Sequence, residues 1–263
     1  MTAVDFEGFV ERLATVAGEA VMPFFRTMIG VEDKGGLGKF DPVTAADRAG
    51  ESAMRQLIKS TFPGHGIVGE EFGSENESAE YVWVLDPIDG TRGFITGLPT
   101  WGTLIGLLKG GVPVYGTMSQ PFTKERFFGD GGSARCRGPH GERKLRTRAC
   151  ARLEDATLSS TSPRLFSGGD LVAFEALEDR TRHTRFGGDC YAYCMLAAGQ
   201  IDLVVEVGLK PYDIVALIPV IEGAGGVITD WEGGPAAAGG RVIAAGDRRI
   251  HAAAMDLLRS AGA

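Results

Sequence analysis

The residues best suited to chemistry fall in nine consecutive positions, Trp83-Val84-Leu85-Asp86-Pro87-Ile88-Asp89-Gly90-Thr91. A wholly apolar run that reads as a buried strand ends in two acids around a proline, and acids at the carboxyl end of a strand are candidates for function. Pro87 fixes the turn, so Asp86 and Asp89 can converge on one point while the carbonyl of Ile88 also faces it. This is hard oxygen chemistry suited to Mg2+. Gly90 and Thr91 then open a short helix, whose free backbone N–H groups can receive a phosphate. The plainer alternative is a turn with an aspartate as a helix cap, and Asp-Gly alone carries no more than that.

Other acids have ordinary readings when taken singly. Glu70 belongs to Gly69-Glu70-Glu71 after the Ile67-Val68 strand, where a solvated acidic pair is expected. Thr44 and Asp47, in Asp41-Pro42-Val43-Thr44-Ala45-Ala46-Asp47, have the spacing of a capping box. Asp213, in Pro211-Tyr212-Asp213, stands against the positive end of a helix opened by a proline.

The elements that must position these residues follow from periodicity. Phe6, Phe9, Val10, Leu13, Val16, Ala17, Ala20, Val21 and Phe24 predict an amphipathic helix ending near Pro23. A glycine-rich loop from Lys34 to Phe40 precedes a second helix over Ala45–Thr61, closed by Pro63-Gly64. Tyr81 to Leu85 reads as a buried strand that stops at Asp86, and Trp101–Leu108 with Val112–Met118 as a hairpin turning at Gly110-Gly111. Residues from about Gly138 to Arg152 are polar, basic and aperiodic, which places a boundary between halves 1–145 and 146–263. The second half reads as helix (Asp170–Glu178), strand (Thr184–Phe186), helix from Asp189, strand (Ile201–Val205) and one helix over Pro211–Glu222. Strands at Val227–Thr229 and Arg241–Ala244 precede a final helix near Asp247. With no internal repeat or flexible linker, the halves should share one rigid interface.

Composition bounds the function. The 263 residues, 44% apolar and 23% charged, suffice for one large α/β domain or two joined halves. A net charge of -7 disfavours binding to nucleic acid or to an anionic membrane surface. The longest apolar runs, such as Ile214–Ile221, fall far short of the roughly 20 residues a membrane helix needs, so a soluble protein is expected. Cys136, Cys150, Cys190 and Cys194 are irregularly spaced with no signal segment before them, and read as reduced thiols of a cytoplasmic protein. Cys190 and Cys194 are four apart on a helix, but no second pair completes a zinc site. His65, His140, His183 and His251 lack metal-ligand spacing and read as surface or structural residues.

The string from Trp83 to Thr91 resembles the signature of the inositol-monophosphatase-like family, in which a strand ends in Asp-Pro-(Ile/Leu)-Asp-Gly-Thr. The stretches around Glu70, Asp47 and Asp213, with Glu222-Gly223-Ala224-Gly225-Gly226 after the last, stand in the order of that family's other markers. The resemblance implies an α/β chain folded as a layered α-β-α-β-α sandwich, with the metal site between the halves and homodimers common among relatives. It implies a phosphomonoesterase in which Glu70, Asp86, Ile88, Asp89 and Asp213 ligate metal and Asp47 accepts a proton from Thr91 and helps orient the attacking water. Acids so crowded repel unless divalent cations neutralise them, and two or three Mg2+ are expected. Metal-lowered pKa of a water then yields a hydroxide-like nucleophile, and no phosphoenzyme is expected.

The substrate should be a small phosphorylated metabolite. Arg92-Gly93-Phe94, Gly97-Leu98-Pro99-Thr100-Trp101-Gly102 and Gly187-Gly188-Asp189-Cys190-Tyr191 look like the histidinol-phosphate phosphatase branch. Inositol phosphatases usually carry a small residue where Asp189 falls. Here Asp189 and Glu206, with Gly188 and Arg92 beside them, would hold a cationic substrate, and the plain alternative for Asp189 is a helix cap. Arg92 also suits the branch acting on 3'-phosphoadenosine phosphates, myo-inositol 1-phosphate is a common substrate in the superfamily, and some relatives bind the transcription machinery.

Overall fold

The computed structural model describes residues 6–28, 30–33 and 42–261; the predicted glycine-rich loop from Lys34 to Phe40, and Asp41, lie outside them. The first elements are α1 (Phe6–Val21), β1 (Val31–Asp33), β2 (Pro42–Thr44), α2 (Ala45–Thr61), β3 (Gly66–Gly69), β4 (Gly73–Glu75), β5 (Tyr81–Asp89) and α3 (Thr91–Ile95). There follow β6 (Gly102–Lys109), β7 (Val112–Gln120), β8 (Glu125–Gly129), β9 (Ala134–Gly138) and β10 (Gly141–Lys144). The chain continues through β11 (Thr157–Ser160), α4 (Gly168–Glu178), β12 (His183–Phe186), α5 (Asp189–Ala197) and β13 (Leu203–Leu209). It closes with α6 (Pro211–Ile214), α7 (Ile218–Gly223), β14 (Val227–Asp230), β15 (Gly240–Ala245) and α8 (Arg248–Ala261).

Side-chain alternation stacks these elements in five layers. An eight-stranded sheet runs β10-β9-β8-β7-β6-β5-β3-β4, and a five-stranded sheet β12-β11-β13-β15-β14. Trp83, Leu85, Ile105 and Leu107 of the first sheet pack under α1 and α2, through Phe9, Leu13, Met54 and Ile58. The opposite face, with Leu104, Met118 and Phe127, shares one core with α5, α6, α7 and with Val204, Val242 and Ala244 of the second sheet. Leu203, Val205, Ile243 and Ala245 point the other way, against α4 and α8. The α-β-α-β-α sandwich expected of the chain is the one observed.

The central helices sit deep on the first sheet because a row of paired glycines, Gly106, Gly116 and Gly129, crosses β6, β7 and β8 beneath them. A side chain at Gly116 or Gly129 would run into the backbone of Ala216 or Pro219, and one at Gly106 would come within 2.7 Å of Val215.

Several boundaries differ from the sequence reading. The single helix expected over Pro211–Glu222 is two, α6 and α7, joined by a turn at 215–217. Pro219 has no N–H, and its ring conflicts with the carbonyl of Val215 four residues back. The strand expected from Ile201 starts at Leu203, since buried Asp202 is held by the Arg148 guanidinium and by the backbone N–H of Thr157 at 2.7 Å, and it runs on to Leu209. The aperiodic stretch after Gly138 holds β10, and β8, β9 and β11 were not anticipated. All four are only four or five residues long, too short for alternation to mark them, and every residue of β10 is exposed. The hairpin at Gly110-Gly111 is present, both glycines having positive φ as a two-residue turn requires. No described helix is long and apolar enough to cross a membrane. The four cysteines are buried and unpaired.

Candidate active site

Strand β5 does not stop at Asp86 as expected but continues to Asp89, with two of its residues, Pro87 and Ile88, opposing the single Thr103 of β6: Asp86 pairs Leu104, and Asp89 pairs Gly102. This bulge is the device that builds the site. In a regular strand, positions three apart face opposite ways, and the extra residue restores both acids to one side. Local bonds hold the irregular segment. Ile88 N–H donates to Asp86 Oδ1 at 3.0 Å, and Thr103 Oγ1 caps the Pro87 carbonyl at 2.8 Å.

Asp213, in the first turn of α6, completes the group. Carboxylate oxygens of Asp86, Asp89 and Asp213 all lie within 4.8 Å of one another. Asp213 also accepts the Lys210 N–H at 2.7 Å, so the helix-end role read from the sequence and a place at this centre coincide. Burial raises Asp86 well above the usual carboxylate range, and the charges of Glu70, Asp89, Asp213 and Asp47 raise it further. Asp89 is raised by burial and by Asp189 and Asp213, against the Cys190 N–H that donates to it at 2.6 Å from the start of α5. An all-carboxylate donor set whose members oppose one another's ionisation fits a hard divalent cation.

Asp47 is buried at the first turn of α2 and accepts both the N–H and the hydroxyl of Thr44 at 2.7 Å, so the capping box is real. Glu70 directly follows β3, with its N–H on the Leu85 carbonyl. Thr91 Oγ1 donates to the Ile88 carbonyl at 3.1 Å. Gly90 lies in the left-handed region at φ 86°, and a side chain there would meet the Thr100 carbonyl at 2.8 Å. Only glycine fits on both counts.

Asp89, Gly90, Thr91, Arg92, Asp189, Glu206 and Asp213 line one cleft of about 230 Å3. Thr161, Leu165, Val207, Gly208 and Leu209 line it too and were not singled out from the sequence. They sit at the ends of β11 and β13 and just beyond, and no local motif marks them. Asp47, Glu70, Asp86, Ile88 and Gly188 are outside that lining. Glu206 is buried and accepts from Thr161 twice, at 2.9 Å from N–H and 2.7 Å from the hydroxyl. Burial nonetheless lifts Glu206 to about 7, with Asp189 and Asp213 adding to the rise.

Asp189 is not the helix cap offered as its alternative. Gly188 is the capping residue of α5, and Asp189 is the first helical residue, with φ 43°. A non-glycine residue held there stores strain, a feature that collects at functional sites. Burial raises the Asp189 carboxyl to about 6, while Arg92 and a bond from Thr161 pull it down. His65 is structural, as read from the sequence: it stacks on Phe62 and accepts the Trp83 indole N–H at 3.1 Å.

Comparison with known proteins places the whole chain in one family. The model of the inositol monophosphatase family matches residues 5–263. The chain is 47% identical over 257 residues to a chloroplastic bifunctional phosphatase of Arabidopsis thaliana, covering 94% of this chain and 72% of the relative. It is 37% identical over 206 residues to a histidinol-phosphatase of Mycobacterium tuberculosis, covering 77% of this chain and 79% of the relative. Among solved structures, an inositol monophosphatase from Zymomonas mobilis superposes with a TM-score of 0.86 at 41% identity, covering 98% of this chain and 100% of the other.

Proposed function

The chain belongs to the inositol monophosphatase family, whose members are metal-dependent phosphatases, and from that premise we propose that it hydrolyses L-histidinol phosphate to L-histidinol and phosphate using Mg2+. The observation that carries the choice of ester is the pair Asp189 and Glu206 in the cleft beside the metal-facing acids, both meeting Thr161. L-Histidinol carries an amine and an imidazole, which suit paired carboxylates; a neutral polyol needs only one. Relatives named histidinol-phosphatase in three bacteria support the same ester.

In this reading Glu70, Asp86, Asp89, Asp213 and the Ile88 carbonyl hold two or three Mg2+. Bound there, the ions lower the pKa of water and offset charge on phosphoryl and leaving oxygens. The chain's own groups do the rest. Backbone N–H groups at Gly90 and Thr91 receive the phosphate, and Asp47 with the Thr91 hydroxyl orients water for in-line attack. Asp189 and Glu206, flanked by Gly188 and Arg92, fix the substrate cation. The same reading treats 1–145 and 146–263 as two halves, supported by a first sheet that ends at Lys144 and a second that begins at Thr157. It also makes the protein a cytoplasmic homodimer in histidine biosynthesis, the dimer being checked by light-scattering mass.

Likeness to inositol monophosphatases favours a second reading, hydrolysis of myo-inositol 1-phosphate. The two are separated by Mg2+-dependent phosphate release from each ester, for wild type and Asp189→Ala. Preference for L-histidinol phosphate that the variant loses supports the first reading. Preference for the inositol ester supports the second, and an indifferent variant removes Asp189 from substrate choice and leaves a metal-dependent phosphatase whose ester is open.

A further inference from the structure

Helix α2 carries a second stripe besides its apolar one. Asp47, Glu51 and Arg55, each four residues after the last, are all buried, with exposures of 1%, 0% and 5%. Buried charges at that spacing share one face, and the cost of burying them requires partners. Those of Glu51 are specific. Its Oε2 accepts the Glu71 N–H at 2.6 Å and its Oε1 the Phe72 N–H at 3.2 Å, the two amides that immediately follow Glu70. Arg55 Nε closes on Glu51 Oε1 at 2.7 Å, and the same guanidinium reaches the Gly73 carbonyl and, at 2.9 Å, Glu75. The whole turn from β3 to β4 is thereby fastened to α2.

Two glycines let the parts come this close. A side chain at Gly69 would collide with the Glu51 carboxylate. One at Gly50 would come within 3.0 Å of Pro87, in the bulge between Asp86 and Asp89. Helix α2 thus touches the site at three places: through Asp47, through Gly50 on the bulge, and through Glu51 on the turn that carries Glu70.

We infer that Glu51, charge-balanced by Arg55, is a positioning residue for the metal centre, holding the two amides just after Glu70 and packing against Gly69 just before it, so that the Glu70 carboxylate faces Asp86. The inference rests on the metal-binding reading of Glu70. Partners one step removed from a metal are worth about 10–100-fold in metal affinity, whereas a merely structural ion pair would change stability and leave metal dependence alone.

The test uses the full chain and Mg2+ as the probe. For wild type, Glu51→Gln, Arg55→Lys and Glu70→Gln, the thermal midpoint is followed as Mg2+ is titrated, alongside the Mg2+ concentration giving half-maximal phosphate release. Glu51→Gln is expected to raise the half-saturating Mg2+ by about 10–100-fold in both measurements. Arg55→Lys, which keeps the charge but loses the fork, should shift it in the same direction by less, and it serves alone if Glu51→Gln does not fold. A lower Mg2+-free midpoint with wild-type Mg2+ dependence in the variants that fold would overturn the inference. Should Glu70→Gln itself leave Mg2+ dependence unchanged, the metal reading of Glu70 fails, and the inference fails with it.

Discussion

The two pairs of carboxylates, Asp86 with Asp89 and Asp189 with Glu206, are assembled in different ways. Asp86 and Asp89 belong to one strand, and a single bulge at Pro87 turns them to a common face. Asp189 and Glu206 come from α5 and β13 and meet at Thr161, at the end of a third element. The first pair is fixed by four consecutive residues bonded among themselves and to a neighbouring strand. The second depends on three connections closing correctly and tolerates a strained backbone at Asp189. A locally specified group can keep its geometry while the second sheet changes around it, which is how one phosphoryl-transfer centre can serve different esters.

The contrast is sharpest if each pair is broken separately. Asp86→Asn should lower phosphate release roughly a thousandfold, since a metal-borne effect of several kcal/mol is lost at about 1.4 kcal/mol per decade. Its Mg2+-free thermal midpoint should not fall, because one buried repelling charge is gone. A variant with full turnover would falsify the metal assignment.

Next in size is the pH dependence of the Mg2+-free protein. Glu206 and Asp189 bind protons more tightly folded than unfolded, at about 7 and about 6 against 4.5 and 3.8. The stability they contribute is therefore full below about pH 4 and lost as pH rises through 6 and 7. Glu206→Gln should flatten a decline worth about 3 kcal/mol at most, read from denaturant melts between pH 4 and 8. Parallel slopes in variant and wild type would mean that Glu206 is solvated.

Asp189→Ala should cost L-histidinol phosphate about 10–100-fold in kcat/KM, the range of a hydrogen bond to a charged group, and leave myo-inositol 1-phosphate within roughly threefold. Equal losses on both esters would erase the proposed division between the two pairs. The smallest effect is expected at Thr44→Ala, which removes the cap over Asp47. About 1 kcal/mol of stability should go, lowering the thermal midpoint by roughly 2–4 °C. An unchanged midpoint would show that Asp47 needs no help from its own helix to stay in place.

Short-range chemistry is legible along the chain. The acids around Pro87, the glycine that must follow them, the capping box at Thr44 and Asp47, and the helices with clear 3.6-residue periodicity are each set by neighbours within a few positions. The layered arrangement was also legible, through the family resemblance. That β5 runs through its acids as a bulge, that Pro219 splits the central helix in two, and that Asp189 is strained rather than capping emerges only in the folded chain. Thr161 beside Glu206, 45 positions away, and Glu51 beneath Glu71, 20 away, were equally invisible in the chain. Hydrogen bonds between distant segments leave no periodic trace in a sequence. They exist because packing the sheets and helices buries polar groups that must then find partners, and which partners they find is settled only when the layers close.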